Sequence, residues 1–182
     1  MGSEGRQLIA DLKQKNKRDL AFHSLVKRYQ ERLYWHIRKI VLSHEDTDDV
    51  LQNTFIKVWK SIENFREESS LYTWLYRIAT NESITFLNSK KRKQLLPLND
   101  VSDYLMDNLL SDPFFDGDKI QLKLQEAIVR LPEKQRIVFN LKYFEEMKYE
   151  DMSHVLDTSV GALKASYHHA VKKVEEYLKN SD

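Results

Sequence analysis

The chain has 182 residues, of which 41% are hydrophobic and 31% charged, a composition typical of a folded globular protein and not of a disordered one. It contains only four Gly and three Pro, which favours long helices, and no Cys, which excludes disulfides and thiolate metal sites. No segment near Met1 resembles a signal peptide, and no apolar run approaches the roughly 20 residues of a membrane span, so we expect a cytoplasmic protein without membrane insertion.

The net charge of +1 hides a strong asymmetry along the chain. Residues 1–93 hold 18 basic and 12 acidic side chains, residues 94–118 hold six Asp and no base, and residues 119–182 hold 11 basic and 10 acidic side chains. This distribution predicts a basic domain, an acidic linker and a nearly neutral domain.

Helical spacing of apolar residues predicts three helices in the first domain, preceded by a short amphipathic segment around Leu8. The first helix carries an apolar stripe that runs from Phe22 to Val41. The second is expected to start after Asp46 and Thr47, which are suitable capping residues. The third is expected over residues 71–93 and ends in four consecutive basic residues.

Residues 94–118 contain Pro97, Pro113 and Gly117 and show weak periodicity. We therefore predict an exposed, flexible linker with one loose helical turn near Tyr104–Leu110.

Helical periodicity resumes in residues 119–182, where Pro132 suits the first turn of a helix. A short helix over Tyr149–Leu156, a turn at residues 157–159 and a longer helix over Val160–Leu178 form the pattern of a helix-turn-helix. The predicted fold class is all-α, with two small helical domains joined by the acidic linker.

The last predicted helix has an outward side of very small residues flanked by hydrogen-bond donors, which suits approach to the major groove of DNA. These residues are Gly161, Ala162, Lys164, Ala165, Ser166, His168, His169 and Lys172. The alternative is a solvated face in a structural bundle, because helix-turn-helix geometry also occurs in proteins that bind no DNA.

Four basic residues, Lys90, Lys91, Arg92 and Lys93, follow a segment rich in aromatic residues. Cations bind phosphates, and aromatic faces stack unpaired bases. The alternative is a cationic helix C-terminus whose neighbouring aromatics belong to the core. Phe65 and Tyr72 fit either interpretation.

No catalytic or metal site is predicted. The acidic residues 45–49 fail as a calcium loop because Leu51 and Lys57 occupy the required Gly and Glu positions. His168 and His169 are adjacent and diverge on a helix, so they do not share a ligand face. We therefore expect no enzymatic activity, no metal and no cofactor.

Three segments resemble extracytoplasmic-function (ECF) sigma factors, which give RNA polymerase its promoter specificity. DTDDVLQNTFIKVWK (46–60) resembles the family's polymerase-binding helix, and FREESSLYTWLYRIATNESITFLNSKKRK (65–93) resembles its promoter-melting and −10-element segment. Residues 131–178 resemble its −35-binding domain. The segments occur in the family's order and cover nearly the whole chain.

The resemblance implies a core-polymerase and promoter-DNA partner, an N-terminal sigma helical bundle and three sets of contact residues. Contacts to the clamp helices of the polymerase's largest subunit are implied for Asp48, Asp49, Gln52, Asn53 and Ile56. Contacts to the −10 element are implied for Glu67, Glu68, Ser69, Ser70, Tyr72, Arg77, Asn81, Asn88, Lys90, Lys91, Arg92 and Lys93. Contacts to the −35 element are implied for Thr158, Ser159, Gly161, Ala162, Lys164, Ala165, Ser166, His168, His169 and Lys172.

The resemblance has two departures, because Ser166 and His169 stand where many members have Arg. They leave the −35 sequence and the strength of its phosphate contacts open. An anti-sigma factor is a further possible partner. The alternative functions are a helix-turn-helix regulator that binds duplex DNA without polymerase and an all-helical adaptor that binds only protein.

Overall fold

The computed structural model describes residues 3–93, 100–111 and 119–180, and within these ranges it is helical without strands. The α-helices in chain order are α1 (Ser3–Leu12), α2 (Arg18–Val41), α3 (His44–Ser61), α4 (Leu71–Lys93), α5 (Asp100–Leu110), α6 (Lys119–Val129), α7 (Glu133–Tyr143), α8 (Tyr149–Leu156) and α9 (Val160–Asn180). A 3-10 turn, Ile62–Asn64, follows α3. The predicted all-α fold class is confirmed.

Helices α2, α3 and α4 pack against one another and form the first bundle. Their apolar stripes meet in its interior, where Leu25, Leu33 and Ile37 of α2 are fully buried. Helix α1 covers one side of the bundle through Ile9 and Leu12, which are also buried. The apolar residues predicted from helical spacing therefore form the core.

The start of α3 differs from the prediction. The helix begins at His44 with Ser43 as its N-cap, and the Ser43 side chain accepts a hydrogen bond from the backbone N–H of Asp46. Asp46 and Thr47 lie inside the first turn, where both are buried. The Asp46 carboxylate accepts from Tyr104 of α5 and pairs with Lys90, which is why this acid is buried instead of capping the helix.

The linker prediction is wrong for part of its length. Residues 100–110 form the three-turn helix α5 instead of one loose turn, and Leu105 and Leu109 on one face of it are buried. Tyr104 adds a hydrogen bond to α3. Tertiary burial of this apolar pair outweighs the weak local periodicity. Residues 94–99 and 112–118 lie outside the described residues, and a flexible linker there stays a prediction.

The C-terminal half folds onto the N-terminal bundle. Buried residues of α7 and α8, including Leu141, Met152 and Val155, belong to the same hydrophobic cluster as Leu71 and Leu75 of α4. A second, smaller cluster lies between α6, α7 and α9 and includes Phe139 and Val174. Helix α8 packs along α4, so the first helix of the helix-turn-helix also contacts the first bundle.

Candidate functional site

The five residues implied in polymerase binding lie on one side of α3. Asp48, Asp49, Gln52, Asn53 and Ile56 are all exposed, whereas Val50, Thr54 and Val58 on the opposite side are buried. Ile56 is a large apolar side chain with 46% of its surface exposed. We call these five residues the α3 face. It combines two carboxylates, two amides and an exposed apolar side chain, a combination that fits a protein partner.

Trp35 of α2 is connected to the α3 face only through Tyr34 and His44, and the sequence analysis did not single it out. Its side chain is 53% exposed, and its ring meets the Tyr34 ring edge-on at 5.3 Å. The Tyr34 hydroxyl lies 2.6 Å from His44 Nδ1, and His44 Nε2 lies 3.7 Å from an Asp48 carboxylate oxygen. A Trp at a position outside the apolar stripe of this helix was the available signal.

The loop between the 3-10 turn and α4 carries the first implied −10 contacts. Glu67 and Glu68 are exposed, and Glu67 has a left-handed backbone with φ of 60°. Lys13 of α1 forms an ion pair with Glu67 at 3.0 Å. Ser69 and Ser70 are half-buried, and Ser70 Oγ accepts a hydrogen bond from the Thr73 N–H at 3.0 Å, which caps α4. We call residues 67–72 the −10 loop.

The aromatic residues near this loop take different positions. Phe65 is 4% exposed and packs against Trp74 with ring centroids 4.9 Å apart, so it belongs to the core. Tyr72 is half-buried, and its ring lies 4.3 Å from that of the fully buried Tyr76. Burial raises the pKa of Tyr72. Only Tyr72 of these residues combines partial exposure with a place in the −10 loop.

Further polar residues line one side of α4. Arg77, Asn81, Asn88 and Arg92 are exposed and recur at helical spacing. Among the described residues, Asn88 and Arg92 join Lys91 and Thr85 around an open cavity of about 370 Å³. This arrangement of amides and cations suits a nucleic-acid strand lying along the helix. The side chain of Lys93 lies outside the described residues.

Lys90 differs from the other basic residues at the end of α4. Its ammonium group lies 3.1 Å from the Asp46 carboxylate and over the rings of Phe86 and Tyr104. Burial lowers the pKa of Lys90, but the Asp46 carboxylate outweighs this and raises it overall. Lys90 therefore links α3, α4 and α5, and its predicted contact with the −10 element stays a prediction.

The helix-turn-helix presents its predicted DNA-facing residues to solvent. Asp157 forms the turn in a left-handed conformation with φ of 49°, and Ser159 Oγ accepts from the Ala162 N–H at the start of α9. Ser166 is half-buried, and the following residues are exposed: Thr158, Ser159, Gly161, Ala162, Lys164, Ala165, His168, His169 and Lys172. Leu163, Ala170 and Val174 are buried on the opposite side.

The Lys164 ammonium lies 5.7 Å from the centroid of the Tyr149 ring, which links α9 to α8. Small exposed residues beside this cation leave room for close approach of a DNA groove. In the described parts of the chain, no cluster of His, Asp and Glu has metal-site geometry, and no helix is long and apolar enough to cross a membrane.

Comparison with protein families assigns both halves of the chain. Residues 25–93 match Sigma-70 region 2, and residues 121–174 match Sigma-70, region 4. The chain is 31% identical to an ECF RNA polymerase sigma-E factor of Haemophilus influenzae, over 94% of this chain and 93% of that protein. The chain belongs to the ECF sigma factors.

Other relatives agree with this membership. An RNA polymerase sigma-H factor of Pseudomonas aeruginosa is 30% identical over 96% of this chain and 94% of its own length. The solved structure of CnrH in complex with the cytosolic domain of CnrY superposes with a TM-score of 0.71 at 22% identity, covering 98% of this chain and 99% of that chain. The sigma factor RpoE, solved with the anti-sigma factor NepR from Bartonella quintana, gives a TM-score of 0.67 at 21% identity, covering 87% of this chain and 96% of that one.

As an ECF sigma factor, the protein binds RNA polymerase and gives it promoter specificity. Region 2 includes the α3 face, the −10 loop and the polar side of α4, and region 4 includes the helix-turn-helix. Each of the three surfaces described above therefore lies in a recognised sigma region.

Proposed function

We propose that the three surfaces divide the work of promoter recognition. The α3 face binds the clamp helices of the largest polymerase subunit, α9 recognises the −35 element as duplex, and the −10 loop with α4 holds the opened −10 strand. The observation that carries this division is the exposure of all five α3-face residues on a helix whose opposite side is buried.

The chemistry of the two DNA surfaces supports different substrates. Helix α9 exposes Gly161, Ala162 and Ala165 beside Lys164, which suits close approach to a groove. The −10 loop offers Tyr72 and two serines, and extruding a base costs a few kcal/mol that stacking and a fitted pocket offset. Residues 94–118 join the two regions, so binding of one element raises the effective concentration of the other surface.

The protein acts in the cytoplasm, where its polymerase works, and leaves catalysis to that enzyme. An anti-sigma factor is its proposed regulator, since CnrH and RpoE were solved in complexes with CnrY and NepR.

The decisive experiment targets the α3 face. The double variant Asp49→Lys, Gln52→Ala should fail to co-elute with core polymerase and to support promoter-dependent transcription, while helicity and the free energy of unfolding stay nearly unchanged. Glu175→Lys, a charge reversal at another exposed position, on α9, serves as the control and should bind core polymerase normally. If the double variant binds core polymerase as tightly as the natural chain, the α3 face is not the polymerase contact.

A further inference from the structure

The segment that joins α1 to α2 lies outside both matched sigma regions. The match to region 2 begins at residue 25, whereas α1 ends at Leu12 and α2 begins at Arg18. Helix α1 is nevertheless an integral part of the fold, because Ile9 and Leu12 are at most 1% exposed. The next residue, Lys13, is thereby anchored beside the first bundle. We call Lys13 and Arg18 the N-terminal cation pair.

Arg18 holds the chain where it leaves α3. Its guanidinium forms an ion pair with Glu63 of the 3-10 turn and donates to the backbone carbonyl of Trp59 near the end of α3. The guanidinium carbon also lies 4.2 Å from the centroid of the Trp59 ring, which adds a cation–π contact. Only 18% of the Arg18 side chain is exposed. The chain therefore enters the −10 loop from a fixed point.

Lys13 contacts the −10 loop itself. Its ammonium lies 3.0 Å from a Glu67 carboxylate oxygen and 5.9 Å from the centroid of the buried Phe65 ring. Glu67 has φ of 60°, a left-handed backbone that a residue with a side chain keeps only where its surroundings hold it. The ion pair therefore stabilises the loop at a residue whose backbone conformation is intrinsically unfavourable.

The charges of this segment give the N-terminal cation pair a second effect. Residues 62–70 contain three carboxylates, Glu63, Glu67 and Glu68, and one base, Arg66. Carboxylates without a cation repel the phosphates of a DNA strand. The N-terminal cation pair neutralises two of the three, so the loop can approach an opened strand at a lower electrostatic cost.

We propose that Lys13 is a positioning residue for promoter opening, which acts through Glu67 to hold the −10 loop in the conformation that receives an unpaired base. Arg18 supports the same segment through Glu63. The proposal rests on the proposed role of the −10 loop, and it adds a part of the chain that lies outside the matched regions. A loop that is held in place before binding loses less conformational freedom when the strand binds.

Substitutions of Lys13 test the proposal in the holoenzyme, at a promoter defined by mapping transcript start sites after overexpression. Lys13→Gln should lower the equilibrium constant for promoter opening about threefold, within the range of an exposed ion pair. Lys13→Glu should lower it about tenfold, because repulsion replaces attraction. Lys13→Arg keeps the cation and should retain normal opening. Permanganate reactivity of unpaired thymines measures the opening.

Lys15→Glu is the matched control, because Lys15 is an exposed cation two residues further along the chain. It should open the promoter like the natural chain. All four variants should keep the natural affinity for core polymerase and the natural free energy of unfolding. If Lys13→Glu and Lys13→Gln open the promoter as well as Lys15→Glu does, Lys13 is not a positioning residue.

A double-mutant cycle separates positioning from direct contact with DNA. If Lys13 acts through Glu67, Lys13→Gln should cause no further loss of opening in a protein that already carries Glu67→Ala. If Lys13 contacted a phosphate itself, its threefold loss would persist in the Glu67→Ala protein. The slope of log K against log salt concentration would then also fall by about one unit. That outcome would overturn the proposal.

These outcomes differ from failure of the proposed function. If the −10 loop did not act on the opened strand, the loop variant Ser69→Ala, Tyr72→Ala would open the promoter normally. If that variant fails to open the promoter while the Lys13 variants match Lys15→Glu, the loop has its proposed role and only the positioning by Lys13 is wrong.

Discussion

Lys90 and Asp46 form an ion pair at 3.1 Å that ties the end of α4 to the start of α3. The Asp46 carboxylate has 11% of its side-chain surface exposed and also accepts from Tyr104 of α5. A cation in a run of four basic residues is therefore a structural residue in this fold, whereas its neighbours Lys91 and Arg92 line the open cavity beside Asn88.

Substitutions of Lys90 and Arg92 should therefore have different effects, the first on stability and the second on DNA binding. Lys90→Ala leaves the buried Asp46 without its cation and should lower the free energy of unfolding by about 1 kcal/mol. Arg92→Ala should change the free energy of unfolding by less than about 0.5 kcal/mol. It should reduce the slope of log K against log salt concentration, for holoenzyme binding to promoter DNA, by about one unit, as for one lost phosphate contact. Urea unfolding and salt titrations measure the two effects. Equal loss of stability in both variants would contradict the structural role of Lys90 and the DNA contact of Arg92.

Trp35 should contribute to polymerase binding, because its exposed ring is linked through Tyr34 and His44 to Asp48 of the α3 face. Trp is enriched among the residues that dominate protein interfaces. Trp35→Ala should weaken core-polymerase binding at least tenfold, about 1.4 kcal/mol, with little change in stability. Leu20→Ala, at a side chain that is 79% exposed, is the control. Identical polymerase affinities for the two variants would place Trp35 outside the interface.

Helix limits set by neighbouring residues could be predicted from the sequence, whereas contacts between distant residues could not. Helical periodicity located α8 at its observed limits and the start of α9 at Val160, because α8 ends at Asp157 and α9 begins after Ser159, and both are local signals. The residues of the α3 face were implied by the family resemblance instead, and burial of Val50 and Val58 leaves them on the exposed side of α3.

What periodicity could not supply are contacts between residues far apart in sequence. Lys39 and Glu145, which form an ion pair, are 106 positions apart in the sequence. Tyr104 and Asp46, which share a hydrogen bond, are 58 positions apart. No local sequence pattern indicates which residues pair in these contacts. The contacts between region 2 and region 4 and the packing of α5 were therefore not predicted. The capping role assigned to Asp46 failed for the same reason, because Ser43 satisfies the helix start and Asp46 has distant partners.

Stability should fall on mild acidification because of His36. This side chain is fully buried between α2 and α4, and its Nε2 lies 2.8 Å from the Thr80 hydroxyl. Burial lowers its pKa from 6.5 to about 4, although the charge of Glu145 opposes this. In the unfolded chain His36 takes up a proton below about pH 6.5, whereas in the folded chain it stays neutral until about pH 4.

We expect this single residue to cost about 3 kcal/mol of stability between pH 7 and pH 4. Glu145, with its lowered pKa, adds a loss that begins in the ordinary Glu range, where the unfolded chain takes up a proton that the folded carboxylate does not. His36→Gln should flatten the pH dependence of urea unfolding between pH 6.5 and 4, whereas the exposed His154→Gln should not. An unchanged profile in His36→Gln would show that other groups control acid sensitivity.

Helix α9 should act on duplex DNA, whereas the −10 loop should act on opened strands. Lys164→Ala should weaken holoenzyme binding to duplex DNA that contains the −35 element and lower the salt slope by about one unit. If Lys164 contacts a base, the loss should instead be sequence-selective, at roughly 1–3 kcal/mol. Lys173→Ala, at another exposed cation on α9 that lies outside the predicted DNA surface, is the matched control.

The −10 loop variant Ser69→Ala, Tyr72→Ala should behave differently, because its side chains act on unpaired bases. It should retain binding to the −35 duplex but fail to open the promoter, measured as permanganate reactivity of unpaired thymines. A template with a pre-melted −10 bubble should restore transcription at least partly for the loop variant and not for Lys164→Ala. Equal loss of duplex binding in both variants, with no response to the bubble, would show that the two surfaces do not divide the work in this way.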